Sequence, residues 1–161
     1  MSRDIKYKAV MQRNDGVMYV SQPYSIDNSL SYLFDFENNR WDKFIEMITT
    51  EERFVELFPD DDEYLKGWTH NENIQYTGLK DKNGVEIYKS DLLKDDKGRI
   101  FKVIEDNRIG ATGYIMECVK NKSEKDHIKI GNIYNFYSWI TPFHCLEVIG
   151  NIYEDSHLLD N

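Results

Sequence analysis

Along the first residues, Ile5, Tyr7 and Ala9 alternate with Lys6 and Lys8, the period-two pattern of a half-buried strand. Asn14-Asp15-Gly16 follows, and Asp-Gly supplies the positive φ that a tight hairpin needs. Val17 and Tyr19 then predict a returning strand. From Ser21 to Asn39 the chain is polar and turn-rich, with Tyr24, Tyr32, Phe34 and Phe36 scattered through it, and reads as a loop with short irregular strands. Thr49 and Glu52 have capping-box spacing ahead of Phe54, Val55, Leu57 and Phe58, which predicts a helix over Glu51 to Leu57. Pro59 and the acidic run Asp60 to Glu63 end it. His70 to Asn73 is a short polar stretch and reads as a linker.

From Ile74 onward the pattern changes to short strands punctuated by turns. Asp81-Lys82-Asn83-Gly84 separates Gln75-Tyr76-Thr77 from Val85-Glu86-Ile87-Tyr88, and Asp95-Asp96-Lys97-Gly98 separates Leu92-Leu93 from Ile100 to Ile104. Gly113 to Val119 predicts a further strand and Asn121 to Asp126 a charged loop. Ile128 to Tyr137 and Cys145 to Tyr153 predict the last strands. The tetrapeptide Gly-Asn-Ile-Tyr occurs at 131–134 and again at 150–153, and both copies read as turn-to-strand entries. The expected fold is therefore α+β, mainly β. A hairpin-plus-helix lobe over 1–72 precedes a small β-barrel over 73–161, closed by the C-terminal strand.

Composition adds limits. A chain of 161 residues needs no disulfide or metal to hold a core. Cys118 and Cys145 read as reduced, partly buried thiols. No apolar run reaches membrane-spanning length and no signal pattern follows Met1, so the expected location is the bacterial cytoplasm, away from membranes. The net charge of −9 disfavours nucleic acid unless the basic residues cluster. Between Lys80 and Lys129 twelve Lys and Arg face ten Asp and Glu, a net of +2. That stretch reads first as a solvated mixed-charge surface. Nucleic-acid binding is the alternative, as is an acidic DNA mimic that sequesters a host nucleic-acid-binding protein.

Sites of chemistry are weakly signalled. Among His70, His127, His144 and His157, only His144 adjoins a second ligand type, Cys145, and neighbours on an extended chain point apart. Asp60 to Glu63 lacks the alternation and glycine of a calcium loop. The expectation is no catalytic residue, no cofactor and no metal. Trp139-Ile140-Thr141-Pro142-Phe143 is a dense apolar run. Core packing is its default reading, and Trp139 and Phe143 are the candidates for a partner-facing patch.

The string Gln75-Tyr76-Thr77-Gly78-Leu79-Lys80-Asp81-Lys82-Asn83-Gly84-Val85-Glu86-Ile87-Tyr88 resembles the signature of the YopX family of phage and prophage proteins. The usual family string continues Gly-Asp-Ile-Val; here Ser90-Asp91-Leu92-Leu93 puts serine at the glycine position. Ile5 to Ala9 with Met18-Tyr19 resembles the family's opening, without its typical tryptophan near Val10. Val148-Ile149-Gly150-Asn151-Ile152-Tyr153-Glu154-Asp155, followed by Leu158-Leu159, resembles its close. Ser21 to Trp68 carries no motif that aligns. The resemblance implies a Gram-positive host or its phage and an SH3-like barrel in the second half. It supplies no mechanism. Gly78, Asn83-Gly84 and Asp91 each have a turn-making explanation. The resulting expectation is a non-catalytic prophage accessory protein acting as a homo-oligomer, with a host or phage protein as a further partner.

Overall fold

The computed structural model describes residues 5–21, 23–25, 68–106, 113–123, 125, 127–136 and 145–160. They form β1 (Lys6–Arg13), β2 (Met18–Val20), β3 (Tyr24–Ser25), β4 (Trp68–Lys80), β5 (Glu86–Tyr88), β6 (Asp91–Lys94), β7 (Ile100–Asp106), β8 (Gly113–Lys120), β9 (Ile133–Tyr134) and β10 (Glu147–Asn151), then a 3₁₀ turn, Ser156–Leu159. The chain divides into two compact units, Met1–Gln75 and Tyr76–Asn161, and β4 runs from the first into the second.

In the first unit β1 lies between β2 and β4, both antiparallel to it, and β3 also pairs with β1. The β1–β2 turn closes through Arg13 N–H to Val17 O at 2.8 Å and Gly16 N–H to Arg13 O at 2.8 Å, with Gly16 at φ +90°. Ala9, Val10 and Met11 are all buried in succession. Simple alternation would bury only every second residue, so both faces of β1 are covered over this stretch. Ser21 anchors the return: its N–H donates to Ala9 O at 2.9 Å, and its Oγ accepts from Ala9 N–H at 2.8 Å.

The expected linker at His70 to Asn73 is instead part of β4, where His70, Glu72 and Asn73 face Met11, Val10 and Ala9 of β1. Asn71 is skipped in that ladder as a bulge. A polar strand hides from a hydrophobic pattern because backbone pairing, not apolar periodicity, holds it in place.

In the second unit five antiparallel strands run in the order β10-β6-β7-β8-β9. Its core is built from Ile87, Leu93, Phe101, Val103, Met116, Cys118, Ile128, Phe136 and Leu146, all buried. The final stretch of β4 forms a hairpin with β5.

The α+β expectation is corrected to β. The described residues hold two antiparallel sheets and no α-helix. The helix expected over Glu51 to Leu57 lies outside the described residues. The barrel expected over 73–161 is not tested by the described residues. The C-terminal strand β10 pairs with β6 and occupies one edge, while β9 occupies the other, and no ladder joins β9 to β10 among the described residues. The described residues of the second unit thus show one five-stranded sheet and a hairpin. Among the described residues the last strands are also shorter than expected, with Ile133–Tyr134 and Glu147–Asn151 paired.

Candidate functional site

The most distinctive polar residues of the sequence sit in turns, and their side chains are occupied there. Asp81 closes the β4–β5 hairpin. Its Oδ1 accepts from Asn83 N–H at 2.8 Å and Val85 N–H at 2.9 Å, and its Oδ2 accepts from Val148 N–H at 3.0 Å. One buried carboxylate thus shapes a turn and fastens it to β10, 67 residues away. Bonds to an ionised acceptor are the stronger class, which makes this junction rigid. Lys82 adds a second tie, its N–H donating to Leu146 O at 3.0 Å and its ammonium pairing with Glu147 at 2.9 Å.

Gly84 (φ +83°) supplies the left-handed turn residue. Within β4, Gly78 at φ +85° accompanies a register shift between Tyr76 and Lys80. Thr77 bridges the irregularity, its Oγ1 donating to Ile87 O at 2.7 Å and accepting from Leu79 N–H at 3.2 Å. The rings of Tyr76 and Tyr88 lie 5.5 Å apart, tilted. Tyr88 is buried and its hydroxyl donates to Glu86 Oε2 at 2.8 Å. Burial, then the bond to Glu86 and that residue's charge, hold the phenol well above its usual pKa.

The next turn carries the serine. Ser90 has φ +71°, the one non-glycine residue described with positive φ. It is buried, with its N–H donating to Val103 O at 2.9 Å and its carbonyl accepting from Ile152 N–H at 3.1 Å. Asp91, also buried, accepts from Tyr88 N–H at 2.7 Å through Oδ2. Serine thus holds here a left-handed conformation that glycine adopts more readily.

At the C-terminal match, Asn151 Oδ1 accepts from Tyr153 N–H at 2.9 Å and Glu154 N–H at 3.0 Å. Asp155 Oδ2 accepts from Asn151 N–H at 3.0 Å. Gly150 has φ +151°, and a Cβ there would stand 2.3 Å from Asp155 Oδ2. The two Gly-Asn-Ile-Tyr copies are not equivalent: Gly131 precedes β9, whereas Gly150 sits near the end of β10 and leads into a turn. The 3₁₀ turn beyond is held by Lys120, whose ammonium donates to the carbonyls of Leu158 and Asp160.

A second feature gathers charge. Lys97, Arg99, Asn121, Lys122, Ser123, Lys125 and His127 line an open depression of ≈ 520 Å³. Of these, Arg99 is held in a buried ion pair with Asp95 at 2.5 Å. Asp95 Oδ1 also accepts from Lys97 N–H and Arg99 N–H, each at 3.0 Å. Asn121 Nδ2 donates to Ile128 O at 2.7 Å and its Oδ1 accepts from Ser123 N–H at 2.9 Å.

Comparison with known families decides the relationship. The family model described as YopX protein matches residues 6–160. The chain belongs to the YopX family. Membership suggests a phage-type protein of unknown role. No curated protein matches the chain.

In this YopX-family chain the motif residues Tyr76 to Tyr88 and Asp91 occupy the β4–β5 hairpin and the entry to β6, and Gly150 to Tyr153 the exit from β10. Asp81 brings the two together through Val148. Trp139 and Phe143 lie outside the described residues, as do His144 and the acidic run Asp60 to Glu63. Cys118 is buried and Cys145 half-buried, both free thiols. No group of three or more His, Cys, Asp and Glu arranged to hold a metal occurs among the described residues. No helix there is long and apolar enough to cross a membrane. Sequence reading left the depression undivided within the basic stretch 80–129. The signal was the recurrence of lysine in two turns that the strand register makes neighbours.

Proposed function

We propose that the chain is a non-catalytic, phage-type accessory protein that works by binding and does so as a homo-oligomer. One observation carries the first part. Asp81, Asp91, Asp95, Asn151 and Asp155 spend side-chain oxygens on backbone N–H groups in turns. A general acid, base or nucleophile needs an atom facing the substrate, and these residues face the backbone instead. The motif is accordingly scaffold, and function falls to the surfaces it presents.

Self-association is supported by apolar residues left in solvent. Ile130 is 62% and Ile133 40% exposed, and Ile133 lies on the edge strand β9. Edge strands with apolar side chains favour pairing with another chain. The charge of −9 opposes association at low ionic strength, so the assembly should tighten as salt screens it. Light scattering coupled to size exclusion tests this. The expected mass is a multiple of 19.2 kDa. A monomer throughout the micromolar range, at low and high salt, contradicts the homo-oligomer.

A further inference from the structure

Ile100 pairs with Lys120 where β7 begins and β8 ends. That register sets the residues before Ile100 beside those after Lys120 at one end of the sheet. Lysines occupy both sides of this junction: Lys97 in the β6–β7 turn, Lys122 and Lys125 in the β8–β9 loop. All three are exposed, and their ammonium groups pair with no carboxylate among the described residues. Elsewhere in the same unit Lys82 and Lys102 each have an acidic partner. Asp95 fixes the N–H groups of Lys97 and Arg99, and Asn121 ties Ser123 N–H and Ile128 O. The loop's own acids, Glu124 and Asp126, lie outside the described residues.

We infer that this depression is a binding site for the phosphodiester backbone of nucleic acid. Point-charge ammonium donors in an open depression suit a chain of phosphates passing across it. Among the described lining residues the one ring is the imidazole of His127, so phosphate contact by the lysines outweighs base stacking and sequence is read little. Arg99 is committed to Asp95, leaving the three lysines to contact phosphate. The acidic remainder of the chain repels phosphate and confines contact to this place. Binding is therefore weak, sequence-independent and steep in salt.

Fluorescence anisotropy of labelled single-stranded and duplex DNA oligonucleotides with the full chain tests the site. Neutralising three phosphates gives a salt slope of about −2.7 on duplex and about −2.1 on single strands, so affinity falls about 40-fold or about 20-fold between about 50 and about 200 mM salt. Each of Lys97→Gln, Lys122→Gln and Lys125→Gln should flatten the duplex slope by about 0.9, and the triple variant should abolish binding. Lys94→Gln, exposed on β6 outside the depression, should bind as wild type. Circular dichroism of each variant checks that the fold is kept. Absence of binding at low salt overturns the inference, as does binding that survives the triple variant. Displacement by polyglutamate as readily as by unlabelled DNA also overturns it, since an acidic polypeptide would then be the fitting partner.

Discussion

Replacing Asp81 should unfasten the β4–β5 hairpin from β10. In Asp81→Ala three N–H groups lose a charged acceptor: Asn83, Val85 and Val148. A hydrogen bond to a charged group contributes about 1.5–3 kcal/mol. Asn83 and Val85 are exposed, so water recovers much of their share. Val148, on β10, is half-buried and recovers less. The net cost is about 3 kcal/mol, and with a urea slope of about 2 kcal/mol/M the midpoint falls by about 1.5 M. Asp81→Asn keeps a neutral Oδ1 for the turn but turns an amide N–H toward Val148 N–H, for a loss of about 2 kcal/mol. Asp96→Asn is the control: Asp96 is exposed and its contact with Lys82 is long, at 3.8 Å, so the loss stays within about 0.5 kcal/mol. Urea unfolding followed by far-ultraviolet circular dichroism measures all three. An Asp81→Ala midpoint equal to that of wild type at unchanged slope would refute the reasoning.

Ser90→Gly should stabilise the fold by about 0.5–1 kcal/mol, because relief of left-handed strain outweighs the entropy of glycine; a lower urea midpoint would contradict it. Gly150→Ala should cost about 2 kcal/mol or more, since its Cβ meets Asp155 and dislodges the carboxylate that accepts from Asn151; the thermal midpoint reports it. Tyr88 has a folded pKa raised above the ordinary 10.0, so its neutral form stabilises the native state fully below that pH. That stability is lost as pH rises past about 10, and Tyr88→Phe should flatten the alkaline decline in a pH series of urea midpoints. Asp15 shows the opposite sign: the bond from Arg13 lowers its pKa to about 2, so its small contribution is present above pH 3.8 and lost as acid titrates it. Asp15→Asn should leave the midpoint at neutral pH almost unmoved.

Turns were the most legible part of the sequence, because their chemistry is local. Asp81 to Gly84 and Asp95 to Gly98 each place an acid two and four residues before the N–H groups it accepts from, and such spacing is written in a few consecutive letters. Strand β8 was legible for a similar reason, its length carrying several apolar residues between Gly113 and Lys120. What could not be read depends on pairing over distance. The polar start of β4 is a strand only because β1 lies beside it. The bond from Val148 to Asp81 spans 67 residues, and no local pattern announces it. The basic depression arises from the register of Ile100 with Lys120, which converts two separate lysine-bearing turns into one surface. Ser90 illustrates a further limit: letters report that a glycine position holds serine, while only the backbone shows that φ stayed positive.

Hydrogen exchange at the amides of Tyr88, Val148 and Asn151 tests whether the motif's carboxylates are spent on the scaffold. Each amide donates to one of them: Asp91, Asp81 and Asp155 respectively. The account predicts protection matching that of Cys118 N–H, a buried amide bonded to Asn132 O at 2.9 Å. Exchange at the rate of an exposed turn amide would show those carboxylates free to meet a substrate, and would contradict the scaffold reading.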